Sequence, residues 1–324
     1  MIRWLVRRTL QAAATFAIAL LLLFVLMRLA PGDPLSRLVG DRDVSAAEIE
    51  QLRRRFGVDQ PLLIQLQAFL AGAARGDLGV SIEHFPDRVT TLLASRLPAT
   101  LLLGGVVLLL NFTVGIWLGV RQAVRRGSRF DRWTGRLALA AYAMPGFWLG
   151  LVLVAFLSLR WRLLPAAQMT DPLLPAGADG LTRALDILRH LALPALTLSL
   201  TSIALTMRHQ RAAMLSVFRL DFVTAARARG LSEKRVRWGH AWRNTLVPML
   251  TLLGLWLPVL VSGSVFVESV FNWPGLGSLA AQAIAARDYP VLLGTATLVS
   301  GAVVFAGLAA DLGYALADPR VRPS

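Results

Sequence analysis

Long apolar stretches recur along this chain, and they constrain its fold more than any other feature of the sequence. Each is close to the ~20 residues that a helix needs to cross the hydrocarbon core of a bilayer. Hydrophobic residues make up 56% of the chain, and the mean hydropathy is +0.59. A soluble globular domain needs more polar surface than this. We therefore expect an all-α integral membrane protein, with six transmembrane helices at residues 9–29, 99–120, 137–159, 191–207, 247–270 and 291–312.

The first apolar stretch has two interpretations, a retained span or a secretory signal peptide. Its apolar run is long for the central region of a signal peptide, and no small-residue cleavage site follows it. We therefore expect residues 1–30 to contain an N-terminal tail and an uncleaved first transmembrane helix.

The distribution of arginine predicts how the spans are oriented. Lys and Arg are enriched in the cytoplasmic loops of membrane proteins. With the N-terminus in the cytoplasm, the cytoplasmic segments carry a net charge of +16 and the remainder carries −1. We therefore expect both termini to be cytoplasmic. The chain's formal charge of +15 is then a topology signal, and we expect no nucleic-acid partner.

The segments outside the apolar stretches complete the domain division. Residues 31–98 form the largest external loop, and we expect a small external subdomain there, packed on the spans. Its helical segment at residues 43–58 has Asp43 or Ser45 as a candidate cap. Residues 99–312 form a five-helix transmembrane core with a basic cytoplasmic loop at about 208–246, and residues 313–324 form a cytoplasmic tail.

The sequence contains few residues in patterns that indicate catalysis or metal binding. There is no cysteine, and the four histidines are far apart in sequence. A phosphate-binding loop of the G-x-x-x-x-G-K-[ST] type is absent, and Lys234 is the only lysine. We expect no catalytic residue, no metal and no cofactor. Arg28, Glu268 and Asp311 lie near span ends, where we expect their charged groups to reach towards water.

The cytoplasmic segment 219–248 is the most informative part of the sequence. Asp221 is a candidate cap for a short helix at residues 222–229, and Gly230 suits the left-handed residue that ends a helix. Ser232 then starts a second helix, which leads into the fifth span. Such a basic loop could bind anionic lipid headgroups, or its alanines could permit close approach by another protein.

This segment resembles the coupling loop of ABC importer permeases, in the version found in the dipeptide/oligopeptide/nickel family. Thr224-Ala225-Ala226 stands at the Glu-Ala-Ala position that names the loop, and Gly230 follows at the expected offset. His240, Arg243-Asn244 and Pro248 continue the pattern. In that family the loop seats in a groove of the ATPase subunit. The resemblance therefore implies an ATPase-coupling role for Asp221, Phe222, Ala225, Ala226, Arg227, Gly230, Arg243, Asn244 and Pro248.

Further segments resemble family landmarks, in the family order and over essentially the whole chain. FAGLAADLGY, before the tail, departs from the pattern, which usually has an Asn and bulkier aliphatic residues there. The landmarks are PGDP at 31–34, GDLGVS at 76–81, RLPAT at 96–100, PGFWLG at 145–150, HLALPALTLSL at 190–200, ESVFNWPGLG at 268–277, RDYP at 287–290 and ADPR at 317–320.

The resemblance implies a permease in the bacterial inner membrane that works with several partners. These are a second homologous permease subunit, two ATPase subunits, an external substrate-binding protein and membrane lipid. ATP hydrolysis is then expected on the partner subunits, so the chain itself is not an enzyme. The resemblance leaves the substrate open among dipeptides, oligopeptides, glutathione-like peptides, nickel chelates and sugars.

A self-sufficient secondary transporter or channel without ATPase partners is the alternative function. It would need an inverted repeat or charge pairs inside the membrane, and the sequence suggests neither. A purely structural membrane scaffold is a weaker option, since it would not need the ordered landmarks.

Overall fold

The computed structural model of the chain describes residues 2–29, 50–51, 53–54, 57, 59–175, 177–262 and 264–317. Within these residues the regular structure is helical and no strand is present, apart from one isolated bridge between Val80 and Arg88. The all-α prediction is confirmed. The predicted caps Asp43 and Ser45, the PGDP landmark and residues 318–320 lie outside the described residues.

Eleven α-helices follow one another along the described part of the chain. Residues Val154–Arg160 continue α5 as a π-helical stretch, while Arg235–Ala241 and Trp242–Thr245 form a π-helical and a 3₁₀ stretch that lead into α8. The helices are α1 Ile2–Leu29, α2 Leu62–Ala74, α3 Val89–Val124, α4 Arg129–Ala143, α5 Gly146–Leu153, α6 Gly180–Val217, α7 Asp221–Ala228, α8 Leu246–Ser262, α9 Val265–Val270, α10 Leu276–Ala286 and α11 Tyr289–Ala317.

Four of these helices, α1, α3, α6 and α11, are long and apolar enough to cross a membrane. Helix α4 and the segment Gly146–Arg160 lie at 107° to each other, and they add a fifth span if the bent pair is counted as one. The predicted stretch 247–270 is divided between α8 and α9. Helix α8 has 17 residues, a length of about 26 Å. Among the described residues, the structure thus gives four spanning helices, or five with the bent pair.

The predicted third span, residues 137–159, is broken near its middle. Met144 is extended, with φ −82° and ψ 133°, and ends α4. Pro145 follows it, and the residue before a proline is disfavoured in the helical region because the proline ring clashes with it. The chain therefore changes direction at this point, and α5 begins at Gly146.

Helix α3 begins at Val89, ten residues before the predicted start at residue 99. Val89 and Leu93 are buried against Leu276 of α10 and Val291 of α11. This packing stabilises additional helical turns, so the helix begins inside the range 31–98 assigned to the external subdomain. Pro98 lies within the helix as a result.

Helices α3 and α6 pack closely through glycine. A Cβ on Gly115 would lie 3.0 Å from the Thr206 side chain, and a Cβ on Gly119 would lie 2.7 Å from Cβ of Gln210. Small residues allow such close approach between helices in membranes. Both contacts advance by four residues on each helix, so α3 and α6 run parallel.

Helices α1 and α11 run antiparallel to each other. The Phe16 ring of α1 lies 3.6 Å from the position of a Cβ on Gly301 of α11, while Met27 packs in the cluster that contains Tyr289. The amide of Gln210 in α6 donates to Thr245, just before α8, over 2.9 Å. The ends of α3 and α6 and the start of α8 therefore lie together, and we call this the coupling end of the bundle.

At the opposite end, residues 264–277 form what we call the outer elbow. The carboxylate of Glu268 accepts from the Thr100 hydroxyl over 3.1 Å and from the Ser278 N–H over 2.9 Å. The Trp273 indole N–H donates to the carbonyl of Ala99 over 2.9 Å. Glu268 is 0% exposed. The expectation that Glu268 reaches towards water is therefore wrong, because the folded chain supplies its donors from inside.

A second buried carboxylate joins the loop before α3 to the start of α11. Asp288 is buried and accepts from the Ser81 hydroxyl and from the backbone N–H of Glu83 over 3.1 Å. Its other oxygen caps the first turn of α11, accepting from the Val291 N–H over 3.3 Å. This carboxylate therefore fixes the 76–88 loop against the last span.

The segment before α3 also contacts α1. Phe24 of α1 and Phe69 of α2 stack with their ring centroids 6.0 Å apart. Arg28 donates to the Gln65 side chain, and its guanidinium lies 5.6 Å from the Phe24 ring centroid. Arg28 thus has protein partners rather than only water, contrary to the expectation from its position. The side chain of Asp311 lies outside the described residues.

Candidate coupling site

Helix α7 is seated on a buried apolar cluster at the coupling end. The inward side chains of α7, Val223 and Ala226, are 0% and 7% exposed. They lie at i and i+3, so they share one face of the helix. The cluster draws on α3, α6, α7 and the lead into α8, and it comprises Val120, Ala123, Met214, Val217, Val223, Ala226, Val236 and Ala241.

The start of α7 differs from its prediction. Leu220 occupies the cap position, and no side chain caps the helix. Asp221 is the first residue of α7, so the prediction that it caps the helix is wrong. In the first turn its negative charge still complements the partial positive charge of the helix N-terminus.

The end of α7 has the geometry that the sequence predicted. Gly230 has φ +76°, in the left-handed region. Its N–H donates to the carbonyl of Arg227 over 2.9 Å, and the Leu231 N–H donates to the carbonyl of Ala226 over 3.3 Å. These two bonds form a Schellman motif, which satisfies carbonyls at a helix end. A Cβ on Gly230 would meet no atom within 4 Å, so only the backbone conformation there favours glycine.

The rest of the α7 surface is exposed and partly apolar. Phe222 is 38% exposed, and Ala225 and Arg229 are also exposed. These residues lie at i, i+3 and i+7, so they form one stripe along the helix. The two predicted alanines are therefore separated: Ala225 faces outward, while Ala226 packs inside the chain's own cluster.

Arg227 holds α7 to the helical lead into α8. Its Nε lies 2.8 Å from Oε1 of Glu233, and Oε2 of Glu233 lies 3.3 Å from Nε of Arg237. The hydrogen bond from Arg227 lowers the pKa of the Glu233 carboxyl. The Arg227 guanidinium also lies 6.0 Å from the Phe218 ring centroid. This residue joins three segments around the short helix.

The remaining predicted residues lie in and after the lead into α8 rather than on α7. Arg243 is exposed, and the Asn244 amide donates to the carbonyl of His240 over 2.7 Å. Pro248 is exposed in the first turn of α8, where a missing N–H costs no helical bond. The structure thus groups Asp221, Phe222, Ala225, Ala226, Arg227 and Gly230 in one compact unit and places Arg243, Asn244 and Pro248 beyond it.

Two buried glutamines support this unit and were not identified from the sequence. The Gln122 amide donates to the Thr134 hydroxyl over 2.7 Å, which joins α3 to α4. Gln210 joins α6 to Thr245 before α8. Both follow apolar helical segments, and an uncharged amide near the end of a span is the signal that could have identified them.

The site has the features of a mechanical contact. Among the described residues, no group of three or more His, Asp or Glu side chains is arranged to hold a metal ion. What the geometry offers is an exposed stripe on a short helix, with an apolar cluster beneath it that extends to three longer helical segments. The cluster thus connects α7 to the ends of α3 and α6.

Comparison with known proteins identifies the family over nearly the whole chain. Residues 111–323 match the family of binding-protein-dependent transport system inner membrane components, and residues 1–104 match the N-terminal family of the same membrane components. The first of these matches includes α7 and the predicted coupling residues.

Relatives that match over nearly their full length are described as permease proteins of peptide transport systems. The chain is 35% identical over 338 residues to the dipeptide transport system permease protein DppB of Escherichia coli. It is 37% identical over 334 residues to the di/tripeptide transport system permease protein DppB of Pseudomonas aeruginosa. It is 36% identical over 324 residues to the oligopeptide transport system permease protein AppB of Bacillus subtilis. Each comparison covers 99% of both chains.

The family matches, the full-length relatives and the apolar helices agree. They place the protein in the inner membrane as a multi-pass component, and they do not favour a self-sufficient transporter or channel. The chain belongs to the family of binding-protein-dependent transport system inner membrane components and is a transmembrane permease subunit of an ABC importer.

Proposed function

We propose that this permease imports short peptides, and that the exposed stripe of α7 receives the motion of a partner ATPase. The peptide substrate is supported by the relatives, which are described as dipeptide, di/tripeptide and oligopeptide permeases. The single observation that carries the coupling role is the contrast between the two faces of α7. Val223 is fully buried in the chain's own core, while Phe222 is 38% exposed.

The packing of α7 on the ends of α3 and α6 explains how a small contact on α7 could move these long helices. Only the central residues of a protein interface carry most of its binding energy, so two helical turns are sufficient for recognition. Since α7 shares its cluster with α3 and α6, displacement of α7 would move the cytoplasmic ends of both spans. If two ATPase subunits moved two such permease subunits in this way, the substrate pathway would open alternately to the two sides of the membrane.

We further propose six crossings with both termini in the cytoplasm. Helices α3 and α6 run parallel, so the chain between them has to return across the membrane, and the bent α4–α5 segment lies at that point. Helix α8 starts at the coupling end, and Trp256 lines a cavity with Thr100 near the outer end of α3. A return crossing by α8 is therefore consistent with this geometry. The charge partition of +16 against −1 supports the same orientation.

The partner set completes the proposal. It comprises a second homologous permease, two ATPase subunits and an external binding protein that delivers the peptide. The chain itself is expected to bind no ATP, because its sequence contains no phosphate-binding loop. Binding of lipid headgroups by the basic loop is the competing role for this segment. It gives no reason for an aromatic and an alanine to share the exposed stripe of α7.

Reconstitution tests the function directly. The permease pair and ATPase subunits encoded beside this gene would be placed in proteoliposomes with their binding protein and a labelled dipeptide. We expect ATP-dependent uptake, and no magnesium-dependent ATP binding by this chain alone. Dipeptide uptake driven without the ATPase subunits would overturn the proposed function, as would stoichiometric ATP binding by the purified chain.

Cysteine labelling tests the topology. Because the chain has no cysteine, a single introduced cysteine is the one site on it that a thiol reagent labels. We expect external labelling at positions Ala73 and Asp179 only, and internal labelling at Arg3, Arg126, Lys234 and Ser324. External labelling of a cysteine at position 234 would contradict both the topology and the coupling assignment.

A further inference from the structure

An ion pair next to the α7 seat has no role in the function described so far. Arg211 of α6 binds both carboxylate oxygens of Asp131 in α4, with Nε to Oδ1 and Nη2 to Oδ2 both at 2.9 Å. Asp131 is 8% exposed. Such a bidentate arrangement fixes the relative geometry of the two partners as well as attracting them.

The local structure around Asp131 is arranged to hold its carboxylate in place. The Ser128 hydroxyl accepts from the Asp131 N–H over 3.2 Å and caps α4. The Gly127 N–H donates to Oδ2 of Asp131 over 3.0 Å. Both residues belong to the turn between α3 and α4, so the carboxylate is bound to its own turn and to α6 at once.

Arg211 lies three residues before Met214, one of the buried residues beneath α7. The same turn of α6 therefore contributes to the seat of the coupling helix and binds α4. Two further contacts join α4 to α3: the Gln122 amide donates to Thr134, and the Arg121 guanidinium lies 5.6 Å from the Phe130 ring centroid. Helix α4 is thus attached to both helices that support α7.

We propose that Asp131 and Arg211 are positioning residues of the transport cycle, which make α4 move together with the seated coupling helix. The inference rests on the proposed role of α7. The ion pair is the direct charged link from α6 to α4, and α4 is the first arm of the segment that bends by 107°. A displacement received at α7 would therefore reach α5 through this pair and the bend.

The packing of α4 explains why a specific link is needed. Its inward side chains beyond Thr134 are small, including Gly135 and Ala138, while Trp133 and Leu137 on the outward face are 60% and 65% exposed. Small side chains let two helices in a membrane approach closely, but they offer no directional contact. The bidentate ion pair supplies one between α4 and α6, so without it only packing would hold α4 in position on α6.

A double-mutant cycle in the reconstituted importer tests this role. The variants are Asp131→Asn, Arg211→Gln and the double variant, with Arg136→Gln as the matched control. Arg136 is exposed on the outward side of α4, so this control removes a positive charge from the same helix. The measurements are ATPase association, ATP hydrolysis and labelled-dipeptide uptake per ATP hydrolysed.

We expect each single variant to lower uptake per ATP by about tenfold, a loss of ~1.4 kcal/mol in coupling. ATPase association should change less than about twofold, since the α7 stripe is intact. The double variant should be no worse than the single ones, because residues that act as a unit are not additive. Arg136→Gln should keep the wild-type uptake per ATP.

Four outcomes are distinct. Unchanged uptake per ATP in both single variants would overturn the positioning role, and so would additive losses in the double variant. If the variants failed to assemble, a purely structural role would replace the proposed one, because ATPase association would fall in parallel with uptake. If the wild-type importer showed no ATPase-driven uptake, the proposed function itself would fail.

Discussion

Helix α7 and the outer elbow both contain a family motif, but the side chains of the elbow motif are buried, whereas several side chains of the α7 motif are exposed. In the outer elbow, Glu268, Trp273 and Leu276 are each 0% exposed, and all find their partners within the chain. In α7, Phe222 and Ala225 are exposed, and only the rear face of the helix is packed.

The comparison separates two reasons for a motif. A buried carboxylate costs free energy unless it is fully hydrogen-bonded, so the elbow motif is explained by the fold of this chain alone. Phe222, by contrast, is exposed on a helix whose inward residues are packed in the chain's own core. We propose that a partner covers it, so substitutions in the two regions should fail in different assays.

The largest effect is expected in the outer elbow. A Cβ on Gly275 would lie 2.5 Å from the Thr100 hydroxyl and would also overlap the Glu268 carboxylate. Gly275→Ala should therefore destabilise the fold by about 3 kcal/mol through overpacking and lost hydrogen bonds. Thermal unfolding in detergent measures this loss. Gly105→Ala is the control, since a Cβ there meets no atom within 4 Å. Equal stability of the two variants would contradict the buried role of the elbow.

A smaller effect, confined to partner binding, is expected for the exposed stripe. Ala225→Glu places a charge at the proposed contact, and should weaken ATPase association by roughly 2 kcal/mol, as for a central interface residue. Unfolding of the permease should not change. Ala226→Glu is the matched comparison, because it places the same charge in the buried cluster and should destabilise the chain itself. If both variants lost stability alike, the two-faced description of α7 would be wrong.

Gly230→Val should act through the backbone alone. A β-branched residue at φ +76° costs about 1–2 kcal/mol, enough to alter the end of α7 without unfolding the spans. We expect normal membrane insertion and reduced ATPase stimulation by the loaded binding protein. Gly76→Val is a suitable control, since Gly76 has φ +75° and equally open surroundings in the loop before α3. Wild-type stimulation in Gly230→Val would count against the coupling role.

The smallest effect concerns the surface pair of Arg227 and Glu233. The pKa of Glu233 is lowered by Arg227, so its contribution is present at neutral pH. It is lost as the pH falls through the lowered pKa. Since Glu233 is about half exposed, Glu233→Gln should cost less than about 1 kcal/mol at pH 7. Melting curves at pH 7 and pH 4 should differ less for this variant than for the wild type.

Local signals in the sequence predicted local structure well. The left-handed conformation of Gly230 follows from its place between two short helices, and the all-α membrane class follows from the apolar stretches. Asp221 was predicted to cap α7 from the position just before the helix, but it is the first residue of the helix. The exact start of a helix is weakly specified where no side chain caps it. These features depend on a few neighbouring residues, so the sequence contains most of the information needed.

Features that depend on distant residues were not predicted. The burial of Glu268 requires Thr100, 168 positions away, as a donor. The early start of α3 requires Val89 to pack on α10 and α11. The third span was predicted as one helix over residues 137–159, whereas the structure bends it by 107°, an angle that depends on how each arm packs. Likewise, the opposite directions of Ala225 and Ala226 follow from the cluster beneath α7.

The buried carboxylate of Asp288 has a consequence for biogenesis. Its partner Ser81 lies 207 positions earlier, so this contact forms only after nearly the whole chain has been made. Until then the 76–88 segment has no acceptor for its buried hydroxyl and for the N–H of Glu83. Contacts of such sequence separation carry a large closure entropy and form late. The end of the bundle that contains Asp288 is therefore completed last, and a chain that stops before residue 288 lacks the carboxylate that joins the 76–88 loop to the last span.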